Sequence, residues 1–201
     1  MGKKDYFAPK AKSFDALERR VKNAKNIANL IVKNIELNKN MHIADFGSGT
    51  GLLLEQIAPY VSHISAIDIS NSMNQVLKDK LPTIKCQVSI KNIDLTKDSL
   101  NCKFDGIISS MTLHHISNIK DIFTKFYNML NNNSFIAIAD LDTEDGSFHE
   151  SDTGVCHYGF DRDEFLNSAK SVGFRDLKII DAGYITKPYG KFSLFLLIGK
   201  K

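Results

Sequence analysis

The chain has 201 residues, 43% of them apolar and 24% charged, with a formal net charge of +3. That is ordinary globular composition, long enough for one domain with a sizeable core. The small charge gathers in lysines near the two ends (Lys3, Lys4, Lys10, Lys12, Lys200, Lys201), and no interior basic block interleaves with aromatics, so nucleic acid is not expected as a partner.

The elements follow in order. Residues 1–12 are polar, carry Pro9, and read as a loose arm. Asp15 and Glu18 have capping-box spacing, with Asp in place of Ser or Thr. Leu17, Val21, Ala24, Ala28, Ile31 and Ile35 then recur at three- and four-residue steps, which is one apolar helix face. Asn38-Lys39-Asn40 turns the chain into a buried strand over 41–44. A glycine turn and a helix over 52–58 follow, the helix stopped near Pro59. A second strand covers 64–69. The spacing then allows a helix over 73–80, closed by Leu81-Pro82. Strands are expected over 86–93 and 104–110. Ile119, Ile122, Phe123, Phe126 and Leu130 mark a further helix face, Asn131-Asn132-Asn133 its turn, and 135–141 a fifth strand.

Such alternation demands a parallel α/β sheet covered on both faces, with ligands beyond the carboxyl ends of its strands. Asp45, Asp68, Asp94 and Asp140 all fall at those ends. The tail differs. A helix over 161–172 carries capping-box spacing (Asp161, Glu164) and Gly173 as a stop. Runs 177–187 and 191–199, joined by Pro188-Tyr189-Gly190, read as an antiparallel hairpin.

The organising stretch is Asp45-Phe46-Gly47-Ser48-Gly49-Thr50-Gly51, between strand and helix. Glycines there let a ligand approach the backbone, and the helix that follows offers free N–H groups. Leu52 occupies the position where a dinucleotide fingerprint needs a third small residue, and no Lys-Ser or Lys-Thr follows for a P-loop. Asp68, at the end of the second strand, can accept both hydrogen bonds of a ribose diol. The competing reading is a helix cap, a role that Ser70 or Ser72 could fill instead; Asp68 alone would also suit NAD.

The D-x-G-x-G-x-G form resembles motif I of the class I S-adenosylmethionine-dependent methyltransferases. Phe104-Asp105-Gly106-Ile107-Ile108, followed by Leu113-His114-His115, resembles that family's motif IV region. The resemblance covers residues 41–141 well and the ends more loosely. The nearest type is the small-molecule, methyltransferase type 11 branch that includes quinone-biosynthesis enzymes. It implies a Rossmann-like, doubly wound, seven-stranded sheet, mostly parallel, with an antiparallel C-terminal hairpin. One domain is expected: an arm and helix over 1–36, a cofactor-binding core over 41–141, a substrate-side loop over 142–160, and a helix and hairpin over 161–201. The cofactor implied is S-adenosylmethionine, held by Asp45, Gly47, Ser48, Gly49, Thr50, Gly51, Asp68, Ile69 and Met73. By the same resemblance Asp94 meets the adenine amino group while Ile93 and Leu95 pack on the ring, and Ser110 and Met111 line the methionine part. A turn role before Leu95-Thr96 competes for Asp94.

The function expected is methyl transfer to a small-molecule acceptor by in-line displacement, with the protein supplying alignment and exclusion of water. His114, His115, His149 and His157 are the candidate general bases by intrinsic pKa. The first two are placed near the cofactor by the motif. The others lie on a long polar loop expected to close over the substrate, where water-facing histidines are the plain alternative. Asp140, Asp142, His149 and His157 could ligate a metal, but their spacing matches no compact motif, so none is expected. Three alternatives stay open: a cofactor-binding module acting through a partner, a methyltransferase acting on RNA or protein, and, weakest, a NAD oxidoreductase. Ser109-Ser110-Met111-Thr112 lacks the proline of the N/D-P-P-Y/F pattern, which disfavours the nucleic-acid amino-methylating subclass. Cys86, Cys102 and Cys156 are odd in number and widely spaced, which reads as free thiols. The apolar run 192–198 is too short to span a bilayer, and 1–12 lacks a signal-peptide core, so a soluble cytoplasmic protein is expected. The acceptor and the oligomeric state are not written in these patterns.

Overall fold

A computed structural model of the chain describes residues 5–149 and 153–201. Its strands are β1 (His42–Phe46), β2 (His63–Ile67), β3 (Gln87–Lys91), β4 (Phe104–Ser110), β5 (Leu130–Leu141), β6 (Arg175–Lys187) and β7 (Gly190–Lys200). They form one seven-stranded sheet in the order β3-β2-β1-β4-β5-β7-β6. β1 to β5 run parallel, and β7 lies antiparallel between β5 and β6. The strand order reverses between β1 and β4, so the loops after these two strands open a crevice at the switch point.

The helices are α1 (Glu18–Asn34), α2 (Leu52–Ile57), α3 (Asn71–Lys80), α4 (Ile119–Met129) and α5 (Arg162–Val172). One side of the sheet buries Ile27, Ile31, Leu54, Ile57 and Leu77 from α1 to α3. The other buries Phe123, Phe126 and Phe165 from α4 and α5 against Phe195 of β7. Covered on both faces, β1 needs apolar residues in succession, and Ile43 and Ala44 are fully buried. On the α4–α5 side aromatic edges meet, with ring centroids 5.2 Å apart for Phe123–Phe165 and 5.1 Å for Phe165–Phe195. Each such pair adds roughly 0.5–1.5 kcal/mol beyond area burial.

The doubly wound, mostly parallel sheet with its antiparallel hairpin is as the sequence implied; several local expectations are corrected. Residues 5–12 are not a loose arm: a 3₁₀ segment, Ala8–Ala16, buries Ala11. Asp5 anchors its start by accepting from Ser70 Oγ at 2.9 Å. Residues 1–4 of the expected arm lie outside the described residues, as do 150–152 of the expected loop. Asp15 does not cap α1, whose N-cap is Leu17 without a side-chain bond. Asp15 accepts instead from Thr50 Oγ1 at 2.5 Å and Lys80 Nζ at 2.9 Å, and a charged donor outcompetes a helix amide. Val21, expected on the apolar face, is exposed, while Ile27, outside that pattern, is fully buried. Asn131–Asn133 bulge within β5: Phe104 pairs with Leu130 and Gly106 with Phe135, and Asn133 takes φ +62. Lys187 pairs with Gly190, which leaves Pro188-Tyr189 as a two-residue turn. Asp161 does cap its helix, accepting from the Asp163 and Glu164 amides at 3.0 Å each.

Candidate active site

The turn after β1 carries three positive backbone angles: Gly47 φ +69, Gly49 φ +54 and Gly51 φ +86. A Cβ at Gly47 would lie 2.2 Å from Thr112, so packing demands that glycine, while one at Gly51 would meet only the end of Leu77 at 2.6 Å and its φ is the stronger reason. Gly49 differs. Nothing lies within 4 Å of its Cβ position, so the space above it is open. The amides of Gly47 and Ser48 donate to Ile67 O at 2.8 and 3.2 Å, which ties the turn to the end of β2.

Asp68 follows β2. Its Oδ2 accepts from the Gly49 amide and its Oδ1 from the Ser70 amide, each at 2.8 Å. A carboxylate offers about four acceptor positions, so capacity is left for a ligand diol. Ser70, not Asp68, caps α3 through Met73 N at 3.1 Å. Burial raises the Asp68 pKa, with the two amide bonds opposing. Asp45 sits beneath the turn, fully buried. Burial first and the Asp68 charge second push its pKa up to about 8. Asp45 Oδ2 and Ser48 Oγ are buried without a hydrogen-bond partner. Such orphaned polar atoms are uncommon and costly unless a water or ligand supplies the partner.

These groups open into one cavity of about 370 Å³. Asp45, Gly47, Ser48, Gly49, Thr50, Asp68, Ile69, Met73, Ile93, Asp94, Leu95, Ser110 and Met111 line it. Gly51, packed on Leu77, does not. Asp94 makes a turn as well, its Oδ1 accepting from Thr96 N at 3.1 Å and Thr96 Oγ1 at 2.5 Å. Met111 adopts φ +57, pinned by its amide on Ala139 O at 2.9 Å. A non-glycine residue held there costs on the order of 1–3 kcal/mol and clusters at functional sites.

The far wall holds three histidines. Ring centroids are 4.3 Å apart for His114–His115, 5.1 Å for His114–His149 and 5.8 Å for His115–His149. His114 lies on a 3₁₀ turn after β4, with Nδ1 2.6 Å from Asp140 Oδ1 at the end of β5. Burial raises the Asp140 pKa, but the His114 charge and hydrogen bonds outweigh it and leave the value lowered. Burial and the His114 charge bring the His115 pKa down to about 4. Burial, then the charges of its neighbours, brings His149 down to about 3. His149 Nδ1 meets Thr153 Oγ1 at 3.1 Å, and its Nε2 is buried without a partner. His157 does not join them: its Nε2 lies on Ile116 O at 2.9 Å, and the ring packs on Phe160.

A family model described as a methyltransferase domain matches residues 44–136. An uncharacterized methyltransferase of Schizosaccharomyces pombe is 29% identical over 166 residues, 74% of this chain and 58% of that protein. The malonyl-[acyl-carrier protein] O-methyltransferase of Acetivibrio thermocellus is 26% identical over 138 residues, 67% of this chain and 47% of that protein. The fold is similar to that of phosphoethanolamine N-methyltransferase 2 of Haemonchus contortus in complex with S-adenosyl-L-methionine. The TM-score is 0.70 at 16% identity, over 88% of this chain and 52% of that one. Residues 44–136 thus carry a methyltransferase domain, on a fold shared with a methyltransferase that binds S-adenosyl-L-methionine.

S-adenosylmethionine, bound in the Haemonchus structure, would fit this cradle: open space over Gly49, orphaned Asp45 and Ser48 oxygens, and spare acceptor capacity on Asp68. The chain spans about half the length of the curated relatives it matches. Among the described residues, no group of three His, Cys, Asp or Glu side chains could hold a metal. Asp142 faces Arg162 instead, with oxygens 2.6 and 2.9 Å from the guanidinium fork. Phe148 of the expected substrate-side loop lines the cavity, and so do Phe7, Phe14 and Arg20 from the expected arm and helix. Sequence reasoning missed Ile185 and Lys187 of β6, which reach the cavity through the hairpin's placement alone.

Proposed function

We propose that the chain binds S-adenosylmethionine in the glycine cradle and transfers its methyl group to a small-molecule acceptor. The observation that carries this is the continuity of one cavity from the glycine turn and Asp68 to the histidine wall, which gives cofactor and acceptor adjoining compartments. Asp68 takes the ribose diol. Asp94 meets the adenine amino group, with Ile93 and Leu95 against the ring. Asp45 and Ser48 face the amino-acid end, beside Ser110 and Met111. When bound, the cofactor supplies an already activated methyl group, so the chain mainly has to align the acceptor and keep water out.

His114 is the base we assign, because Asp140 fixes its Nδ1 and leaves Nε2 to take a proton from the acceptor. His115 and His149, depressed to about 4 and about 3, serve as neutral walls. His157, held on Ile116 outside the cavity lining, takes no part. The acceptor of the Haemonchus enzyme, phosphoethanolamine, is a small molecule, which supports that part of the reading. No helix among the described residues is long and apolar enough to cross a membrane, and the cysteines are free; both agree with a cytoplasmic setting.

The acceptor class is tested by incubating the protein with methyl-labelled cofactor and a cell extract, then separating dialysable from retained label. Label in the dialysable fraction, lost with His114→Asn, is expected. Label confined to retained protein or RNA would refute the small-molecule reading.

A further inference from the structure

Acidic and basic groups line the cavity from different elements. Its acidic lining groups, Asp45, Asp68 and Asp94, all stand at the carboxyl ends of β1, β2 and β3. Arg19, Arg20 and Lys187 line it from α1 and the tip of β6. In the cofactor reading above the first set serves the cofactor, Asp68 at the ribose, Asp94 at the adenine and Asp45 at the amino-acid end, and the second set is given no part.

Arg20 is the best-built member of that set. It is half-buried in the first turn of α1. Its Cζ lies 3.9 Å over the Phe14 ring, and Nη1 donates to Phe14 O at 3.1 Å. Stacking and one hydrogen bond fix the plane of the fork, while the other guanidinium N–H groups meet no protein acceptor among the described residues. No carboxylate there lies within ion-pair distance of it. The nearby acid, Asp15, is already held by Thr50 and Lys80. Burial and the Arg19 charge both lower the Arg20 pKa, with Asp15 opposing. A pre-oriented guanidinium fork matches the paired oxygens of a carboxylate or phosphate bidentately, where Lys offers only a point charge. His115 and His149 are neutral at pH 7, so they do not compete as counter-ions.

We propose that the acceptor is an oxyanion, a small carboxylate or phosphate ester, and that Arg20 binds its charged group. This rests on the cofactor reading above. Arg20 would then be a specificity-determining residue, setting the acceptor by charge while the histidine wall handles the reacting end.

The test uses protein saturated with S-adenosylhomocysteine, titrated with malonate, phosphoethanolamine and uncharged malonamide. Wild type, Arg20→Gln and Arg20→Lys are compared. Separately, S-adenosylhomocysteine and 5′-methylthioadenosine, which lacks the amino-acid part, are titrated into each. One of the two anions is expected to bind the loaded wild type, and malonamide not; which one binds identifies the group. Arg20→Gln should weaken that anion about tenfold or more, Arg20→Lys less, with S-adenosylhomocysteine binding unchanged in all three. Binding of S-adenosylhomocysteine with no anion binding, or equal anion affinity in Arg20→Gln, would overturn the proposal. So would weaker S-adenosylhomocysteine binding in Arg20→Gln with methylthioadenosine unaffected, which would assign Arg20 to the cofactor's own carboxylate. Failure of the wild type to bind S-adenosylhomocysteine would sink the cofactor reading first, and this inference with it.

Discussion

At the scale of single residues, buried titratable groups give the protein a two-sided pH dependence. Asp45 has a folded pKa of about 8 against an ordinary 3.8, so over that window the folded state keeps a proton the unfolded state has lost. Stability therefore falls as pH rises through it. Asp68 is shifted in the same direction. His115 and His149 are depressed from 6.5 to about 4 and about 3, so below 6.5 the unfolded state binds the extra protons and stability falls with falling pH. His42 and His63 add to that acid side. Urea midpoints measured across pH should flatten on the alkaline limb in Asp45→Asn and on the acid limb in His149→Gln. Unchanged limbs would disprove these shifts. Gly49→Ala separates fold from ligand. Its strain at φ +54 is on the order of 1–2 kcal/mol with no clash, so the variant should fold yet bind S-adenosylhomocysteine more weakly. Gly47→Ala meets Thr112 and should lose clearly more thermal stability. The placement of Asp45 and Asp68 at the cavity was legible because a short motif fixes the backbone there. Arg20 was not, since its meaning depends on where α1 lies against the cavity.

Among the elements, legibility followed how local the determining contacts are. The α5 cap was readable because Asp161 and its amide partners are sequence neighbours. The Asp15–Glu18 pair had the same spacing and failed, because Thr50 and Lys80, distant in sequence, take the carboxylate. The 3₁₀ segment at residues 8–16 was unreadable for the same reason: its order comes from Asp5 on Ser70 and Asp15 on Thr50. The α3 cap offers a test. Ser70→Ala removes the bond to Met73 N and the contact with Asp5, and should cost about 0.5–2 kcal/mol in chemical denaturation. No loss of stability would mean that the cap and the contact with Asp5 contribute nothing measurable.

For the whole molecule, alternating buried strands and helices dictated a doubly wound sheet, and the switch point then placed the crevice. The hairpin itself could be read, but its insertion beside β5 came only through the family resemblance, because pairing between β5 and β7 is set by packing across the sheet. The cavity lining joins residues 7–24, Phe148 and His149, and Ile185 and Lys187 of β6, which no local pattern could assemble. Phe165 joins α5 to α4 and β7 through its contacts with Phe123 and Phe195, and Phe165→Ala should cost about 3–5 kcal/mol, seen as a drop in denaturation midpoint. The most direct measurement is calorimetric titration of wild type and Asp68→Ala with S-adenosylhomocysteine, with NAD as control. Binding to the wild type, weakened about tenfold or more by Asp68→Ala and absent for NAD, is the expected result. Equal affinity in Asp68→Ala, or binding of NAD in its place, would contradict a ribose-holding Asp68 in an S-adenosylmethionine cradle.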